Sequence, residues 1–380
     1  KITQLFKGRR NMRVLRELSI ERIKREIEYS FSQDGVHVEN SPGYHHGMIA
    51  NVNNSLNSLL QSPLNSRLKG QKEFLPKMVP YLRWIVRQDG KLPPIGDSEQ
   101  RQVSFGLAKS LFPEEFNHKN QGMKVFANGY AIWRTEKTHL VMKSIQTGRF
   151  HRHDDDCSLT LWHNGEDLLL DSGLLYYKEK DEDRIHVRSA TAHSGIEIPG
   201  KKAIRNIFNK SAGKASVTKT DSISAMAVMG MYEGFDIKRN ITKEGKKIRI
   251  VDFFCDASIE NKVRQNFIIP ACWEIITKPD RVIFKKEDGQ TWVLECSDQE
   301  DHREIEIEKT FVSMMKNQKS EAIRMSFYPK NNKTEISITL DKAPQYEDED
   351  DGRLIEVEIT HPNFPAICKK LPINWSKNEY

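Results

Sequence analysis

The chain has 380 residues, of which 37% are hydrophobic and 29% charged; 59 basic and 53 acidic residues give a net charge of +6. This length predicts two domains, and the hydrophobic fraction is sufficient for packed cores. The positive excess is mild compared with the dense basic stripe of a nucleic-acid-binding protein, so no nucleic-acid partner is expected. No apolar run approaches the roughly eighteen residues that a membrane helix requires, so no membrane span is expected. The five cysteines form no CxxC pair, which argues against a zinc site made of cysteines.

Apolar residues at helical spacing predict three helices in the first third of the chain. The apolar stripes cover residues 15–27, 48–60 and 75–86, and the second helix is expected to run from Gly47 to a stop near Pro63. The turn-rich segment 89–100 is predicted to be a surface loop. A short helix is expected to follow it, over residues 102–111.

From about Lys124 the apolar period changes to that of β-strands. Short β-branched and aromatic runs are divided by Gly, Asn and Asp turns, and HNGED (163–167) and EDGQT (287–291) predict hairpins. No helix of normal length alternates with these strands, which favours antiparallel, sandwiched sheets. The predicted fold class is therefore multidomain α+β, with a helical portion over residues 1–115 and an antiparallel β-sandwich over residues 116–380.

The segment FHRHDDD (150–156) contains the sharpest group of metal-binding residue types. On a strand, His151 and His153 would point to the same face. Asp171 ends the next strand after a hairpin at Asn164 and Gly165, and His193 follows about twenty residues later. Two imidazoles and a carboxylate suit zinc. Polar surface residues in an acidic loop, or a cupin-type iron site, are alternatives that spacing leaves open.

A second polar cluster, DGVHVENSPGYHHG (34–47), lies between the first two predicted helices. It brings Glu39, Tyr44 and His45 into a turn held by glycine and proline, where catalytic groups are often found. The alternative interpretation is an interhelical loop with satisfied hydrogen bonds.

A third cluster, DRIHVRSATAHSG (183–195), contains Arg184, His186 and Arg188. A guanidinium fork matches the geometry of a carboxylate, so these side chains could bind an acidic substrate. A surface segment held by salt bridges is the alternative.

Four stretches together resemble the heparinase II/III group of polysaccharide lyases. In chain order they are DGVHVENSPGYH, LPPIGDSE, FHRHDDDCSLTLWHNGEDLLLDSGLLYY and RIHVRSATAHSGIEIPG. The resemblance covers roughly residues 30–200. It implies a partial α/α toroid followed by an antiparallel β-sandwich, with the substrate in the cleft between them.

The resemblance also implies roles for particular residues. Tyr44 and His151 correspond to the catalytic tyrosine and histidine, and His153, Asp171 and His193 correspond to the ligands of a structural zinc. The residues expected to contact substrate are Glu39, His45, Arg188 and Tyr177, with Tyr176 as the alternative to Tyr177. The family's Asn-His pair lies upstream of the tyrosine, and no such dipeptide precedes Tyr44. We therefore expect this chain to lack part of the toroid and of its active site.

The function implied by the resemblance is β-elimination on an acidic, uronate-containing polysaccharide. Such an enzyme is expected in the bacterial periplasm or outside the cell. The alternatives are a non-catalytic glycan-binding protein that retains the lyase fold, and a cupin-like metal enzyme.

Overall fold

A computed structural model of the protein describes residues 10–60, 69–117, 119–145, 150–204, 215–255, 263–278, 281–296 and 302–341. Residues 342–380, which belong to the predicted second domain, lie outside the described part. No helix within the described ranges is long and apolar enough to cross a membrane.

The helical portion forms where the apolar stripes predicted it. Its helices are α1 (Arg10–Ser30), α2 (Pro42–Leu60), α3 (Lys69–Ile85) and the short α4 (Gly106–Leu111). The second helix starts earlier than predicted, because proline fits the first helical position, where no backbone hydrogen bond is lost. This early start places Tyr44 and His45 in the first turn of α2, although both were predicted to lie in a loop.

In the described part of the chain, seventeen strands form three sheets whose paired strands are all antiparallel. The strands of the first sheet, in spatial order, are β1 (Gly122–Phe126), β2 (Tyr130–Arg134), β3 (Thr138–Lys143), β4 (Ser158–His163) and β5 (Glu166–Leu169). The remaining strands are β6 (Ile196–Glu197), β7 (Ser216–Lys219), β8 (Ser224–Val228), β9 (Ile237–Glu244), β10 (Lys247–Phe254), β11 (Arg264–Pro270), β12 (Glu274–Thr277), β13 (Arg281–Lys285), β14 (Thr291–Cys296), β15 (His302–Val312), β16 (Ser320–Pro329) and β17 (Lys333–Leu340). The eight-stranded sheet has the order β12-β13-β14-β17-β10-β9-β8-β7, and the four-stranded sheet has the order β15-β16-β11-β6. This arrangement confirms the prediction of antiparallel sheets.

The five-stranded sheet lies between the helices and the other two sheets. Ile132 and Val141 belong to the core that includes α1, α2 and α3, whereas Trp133 and Leu140 belong to the core shared with the other sheets. Successive side chains of a strand point to opposite faces, so β2 and β3 bury both of their faces. The sheet therefore fixes the position of the loops at its ends relative to the helices.

Both predicted hairpins are present. Asn164 and Gly165 join β4 to β5 with φ angles of 49° and 96°, the left-handed conformation that a tight hairpin turn requires. Gly289, with φ 85°, turns the chain between β13 and β14. After β5 the chain forms a long loop, the short helix α5 (Glu182–Arg188) and a 3-10 turn over Ala190–Ala192 before it reaches β6.

Candidate active site

Asp97, in the loop between α3 and α4, lies at the centre of the site with 1% of its side chain exposed. Its Oδ2 accepts a hydrogen bond from His151 Nδ1 at 3.0 Å, and its Oδ1 accepts one from His153 Nε2 at 2.8 Å. Arg184 forms an ion pair with both oxygens, at 2.7 and 3.0 Å. Burial disfavours the charged carboxylate, but the two histidines and the guanidinium outweigh it and hold the pKa of Asp97 far below its usual value.

The loop that carries Asp97 was predicted to lie on the surface, and this prediction is wrong. Leu92 and Ile95 are buried in the helical core, with 0% and 1% of their surface exposed. Gly96 has φ 55°, and a Cβ there would stand 3.0 Å from Asn40 O and 3.2 Å from His151 O. Glycine suits this position, because a residue with a Cβ there would adopt a strained backbone conformation and crowd both neighbouring segments. The apolar residues within the turn-rich segment were the sequence signal for burial.

Tyr44, His151 and Tyr177 form an aromatic cluster beside Asp97. The Tyr44 ring stacks on the His151 imidazole, with centroids 3.7 Å apart and an interplanar angle of 23°. The Tyr44 and Tyr177 hydroxyl oxygens are 2.7 Å apart, and Tyr177 is 45% exposed. Burial of its hydroxyl and the hydrogen bond to Tyr44 raise the pKa of Tyr177, so this phenol keeps its proton.

The His151 imidazole lies between two carboxylates. Its Nδ1 donates to Asp97, and its Nε2 is 3.5 Å from Oε2 of Glu39, whose side chain is 31% exposed. The prediction that His151 and His153 share a strand is wrong, because β4 begins only at Ser158 and His151 has φ 54°. Both imidazoles nevertheless point to one carboxylate, since a turn brings them to Asp97.

Beneath this cluster, His153, Asp171 and His193 offer ligand atoms that lie within 4.8 Å of one another. All three side chains are at most 1% exposed. His193 Nδ1 donates to Asp171 Oδ1 at 3.1 Å, while Asp171 Oδ2 and His193 Nε2 have no hydrogen-bond partner. Burial opposes both charges, yet the ion pair outweighs it, raising the pKa of His193 and lowering that of Asp171. Two orphaned buried atoms of ligand type fit a bound cation, since unpaired buried polar atoms are costly.

The third ligand candidate, His153, is held in a suitable tautomer. Burial lowers the pKa of His153, so the imidazole is neutral and its one proton is on Nε2, which donates to Asp97. Nδ1 lies 3.2 Å from Ser172 Oγ, but that hydroxyl donates its proton to Val187 O at 2.5 Å. The Nδ1 lone pair therefore remains available, and Asp97 orients the ring as carboxylates orient zinc-binding histidines in other proteins.

His45, expected to contact substrate, is instead a buried structural residue with 1% exposure. Its Nδ1 accepts a hydrogen bond from the His37 amide at 3.2 Å, and its Nε2 donates to Met78 O at 2.9 Å. Burial lowers the pKa of His45 to about 3, so the ring stays neutral and ties the start of α2 to α3. The helical turn points it into the core, away from Tyr44.

The three basic candidates of the 183–195 segment are engaged within the protein. Arg184 is 2% exposed and pairs with Asp97 rather than lying at the surface. Arg188 forms an ion pair with Glu179. His186 contacts Thr310 Oγ1 at 3.0 Å. Arg188 therefore lies close to the site but is already paired with a carboxylate.

The sequence matches the family "Heparinase II/III-like, C-terminal" over residues 119–340 and "Heparinase II/III N-terminus" over residues 6–119. It is 24% identical over 260 residues to a heparin-sulfate lyase of Bacteroides thetaiotaomicron, covering 56% of this chain and 36% of that protein.

Solved structures share the fold. A heparan sulfate lyase from Pedobacter heparinus superposes with a TM-score of 0.73 and 18% identity, covering 88% of this chain and 57% of that one. A Paenibacillus xanthan lyase superposes with a TM-score of 0.51 and 9% identity, covering 85% of this chain and 41% of that one. The chain thus spans between about one third and three fifths of the length of these relatives. Since the C-terminal family alone matches more than half of the sequence, the chain belongs to the heparinase II/III-like family.

Proposed function

We propose that the protein is a polysaccharide lyase that cleaves an acidic, uronate-containing polysaccharide by β-elimination, with Tyr44 and His151 as acid and base. The observation that carries the proposal is the stacked pair of Tyr44 and His151, anchored by the buried carboxylate of Asp97. Relatives named as heparin-sulfate and heparan sulfate lyases support a glycosaminoglycan as the substrate class. The finer architecture that we propose is a partial α/α toroid and a β-sandwich with the substrate between them.

The reaction requires two proton transfers on one sugar linkage. A base removes the C5 proton, which is α to the uronate carboxylate. Its electron pair forms the C4=C5 double bond as the C4–O bond breaks, and an acid protonates the departing oxygen. Each well-positioned acid or base contributes roughly 10²–10⁴ in rate. Tyr44 and His151 are in contact, so one sugar bound against them can meet both groups.

The neighbours of this pair support these roles. Tyr177 keeps its proton and can donate a hydrogen bond to Tyr44 Oη when Tyr44 has lost its own proton. Asp97 accepts a hydrogen bond from His151 Nδ1 and so leaves Nε2 facing the partly exposed side chain of Glu39. An imidazole can either accept or donate a proton, which suits His151 to either proton transfer.

His153, Asp171 and His193 would hold a zinc ion, which when bound would cross-link the segments that carry them. In this proposal zinc has a structural role. Asp97 then links the proposed zinc ligands to the acid and base pair, because its Oδ1 orients His153 and its Oδ2 orients His151. As an enzyme for extracellular glycans, the protein would act in the periplasm or outside a bacterial cell.

The test is an ultraviolet assay for unsaturated uronates, with the full-length protein and a panel of heparan sulfate, hyaluronan and alginate. The expected result is a rise in absorbance with one polymer, reduced at least a hundredfold in Tyr44→Phe and His151→Ala. Tyr29→Phe is the matched control, because Tyr29 is a tyrosine on α1 that is 72% exposed. Full activity in Tyr44→Phe would refute the role of Tyr44. No product from a folded, zinc-loaded protein on any polymer would refute the lyase assignment.

A further inference from the structure

The turn between β15 and β16, residues 313–319, reaches the candidate active site from the four-stranded sheet. Its first part is bound to the loop that carries Tyr177: Ser313 N donates to Ser172 O, and Asn317 N donates to Leu175 O, both at 2.7 Å. The turn therefore follows the Tyr177 loop along its length.

The same turn is also bound to the loop that carries Asp97. Gln100 N donates to Met314 O at 2.7 Å, and Lys316 N donates to Glu99 Oε1 at 3.0 Å. The backbone at Lys316 is thus fixed relative to the loop that carries Tyr177 and to the loop that carries Asp97.

Gly173 shows how close this contact is. It has φ 71° and forms a parallel β-bridge with Ser313, and a Cβ at this position would lie 1.9 Å from Ser313 O. A side chain cannot be accommodated there without moving one of the two segments. Contacts between backbone atoms therefore hold the turn against the loop that carries Tyr177.

The side chain of Lys316 is exposed, and its Nζ lies 5.9 Å from the centroid of the Tyr177 ring. Among the described residues no carboxylate forms an ion pair with this ammonium, whereas Lys319 on the same turn pairs with Asp183 at 2.5 Å. Arg184, the other cation over Tyr177, is engaged by Asp97. The Lys316 ammonium is therefore a positive charge over the Tyr177 ring that no carboxylate of the described residues engages.

We propose that Lys316 binds an anionic substituent, a carboxylate or a sulfate, of the sugar that lies against Tyr177 and Tyr44. The inference rests on the proposed lyase function and adds a substrate-binding residue to it. A fixed backbone with a flexible, strongly hydrated ammonium suits the recognition of an anion as a point charge, without the planar geometry that arginine imposes. Neither the metal candidates nor the acid and base pair supplies such a charge beside the exposed Tyr177 ring.

The experiment compares Lys316→Ala, Lys316→Gln and the control Lys319→Ala on the polymer that the wild-type protein cleaves. We expect KM to rise roughly tenfold or more in both Lys316 variants, with little change in kcat, since one charge-assisted contact is lost. Lys316→Arg should recover most of the affinity. Raising the salt concentration should increase the KM of the wild type more than the KM of Lys316→Ala.

If the cleaved polymer is sulfated, as heparan sulfate is, its chemically desulfated form distinguishes the two anions; if it is unsulfated, the anion is the uronate carboxylate. If the effect of Lys316→Ala persists, the anion is the uronate carboxylate, and if it disappears, the anion is a sulfate. A KM equal to that of the wild type in Lys316→Ala on both polymers would overturn the inference while leaving the lyase assignment intact. Absence of turnover in the wild type would count against the proposed function instead, and equilibrium binding of heparan sulfate would then test Lys316 directly by the same comparison.

Discussion

Asp97→Asn is the substitution that probes the site most directly. It retains the shape of the side chain but removes the charge that faces Arg184. In the wild type the two carboxylate oxygens accept hydrogen bonds from His151 and His153, whereas asparagine has only one oxygen that can accept. Arg184 is 2% exposed, and its other polar contacts include Leu174 O at 2.7 Å and Glu179, 3.5 Å from Nε and itself 55% exposed.

The size of the effect follows from these contacts. Removing one partner of a buried ion pair costs about 3–5 kcal/mol, because the other charge stays buried without compensation. Glu179 replaces only part of the lost interaction, since its carboxylate is largely in water. Activity should fall by roughly 10²–10⁴, because an asparagine can present an N–H to His151 and no longer selects the tautomer that leaves Nε2 free.

The assay is chemical denaturation combined with the lyase assay at a temperature where all variants are folded. Asp252→Asn is the matched control: Asp252 forms an equally buried pair with Arg239, at 2.6 Å, within the eight-stranded sheet and without a histidine. Both variants should lose stability, and only Asp97→Asn should lose activity. Equal activity of folded Asp97→Asn and wild type would refute the role assigned to this carboxylate.

Three further changes have expected outcomes. Gly173→Ala should destabilise the protein by more than about 2 kcal/mol, because the new Cβ would clash with Ser313. Gly165→Ala is the control: the space around it is open, so it should cost only about 1–2 kcal/mol of left-handed backbone strain. Equal losses of unfolding free energy in the two variants, measured by denaturation, would contradict this. A zinc chelator should lower the melting temperature of the wild type but not of His193→Ala, and a metal-free wild-type protein on elemental analysis would refute the zinc site. Burial lowers the pKa of His45 to about 3, so below about pH 6.5 the unfolded chain binds a proton that the folded protein does not, and the free energy of unfolding should fall on acidification towards pH 3. His45→Gln should reduce the slope of the free energy of unfolding against pH by about 1.4 kcal/mol per pH unit. An unchanged slope would contradict the assignment.

Local sequence patterns predicted the elements that local interactions determine. The hairpin at Asn164 and Gly165 was predictable because its dipeptide favours left-handed backbone angles, and the antiparallel sheets followed from short strands without intervening helices. The strand predicted for His151 did not form. Two histidines two residues apart are too short a pattern to define a strand, because an irregular turn can also bring both side chains to one group.

The residues that sequence reasoning missed are those whose role depends on distant partners. Asp97 accepts hydrogen bonds from residues 54 and 56 positions away, and nothing in its own segment indicates which loops approach it. His45 illustrates the opposite error, since its neighbour Tyr44 does face the site. On a helix, adjacent residues point in directions about 100° apart, so one lies in the cluster and the next in the core.

The arrangement around Asp97 has a consequence for how the site tolerates change. One carboxylate orients the catalytic candidate His151 through Oδ2 and the metal candidate His153 through Oδ1, and Arg184 bridges the two oxygens. A shift of the loop that carries the metal candidate His153 would therefore be transmitted to His151 through a single rigid group. If zinc binds as we propose, its loss should for this reason impair activity as well as stability, even though the proposed proton transfers do not involve zinc.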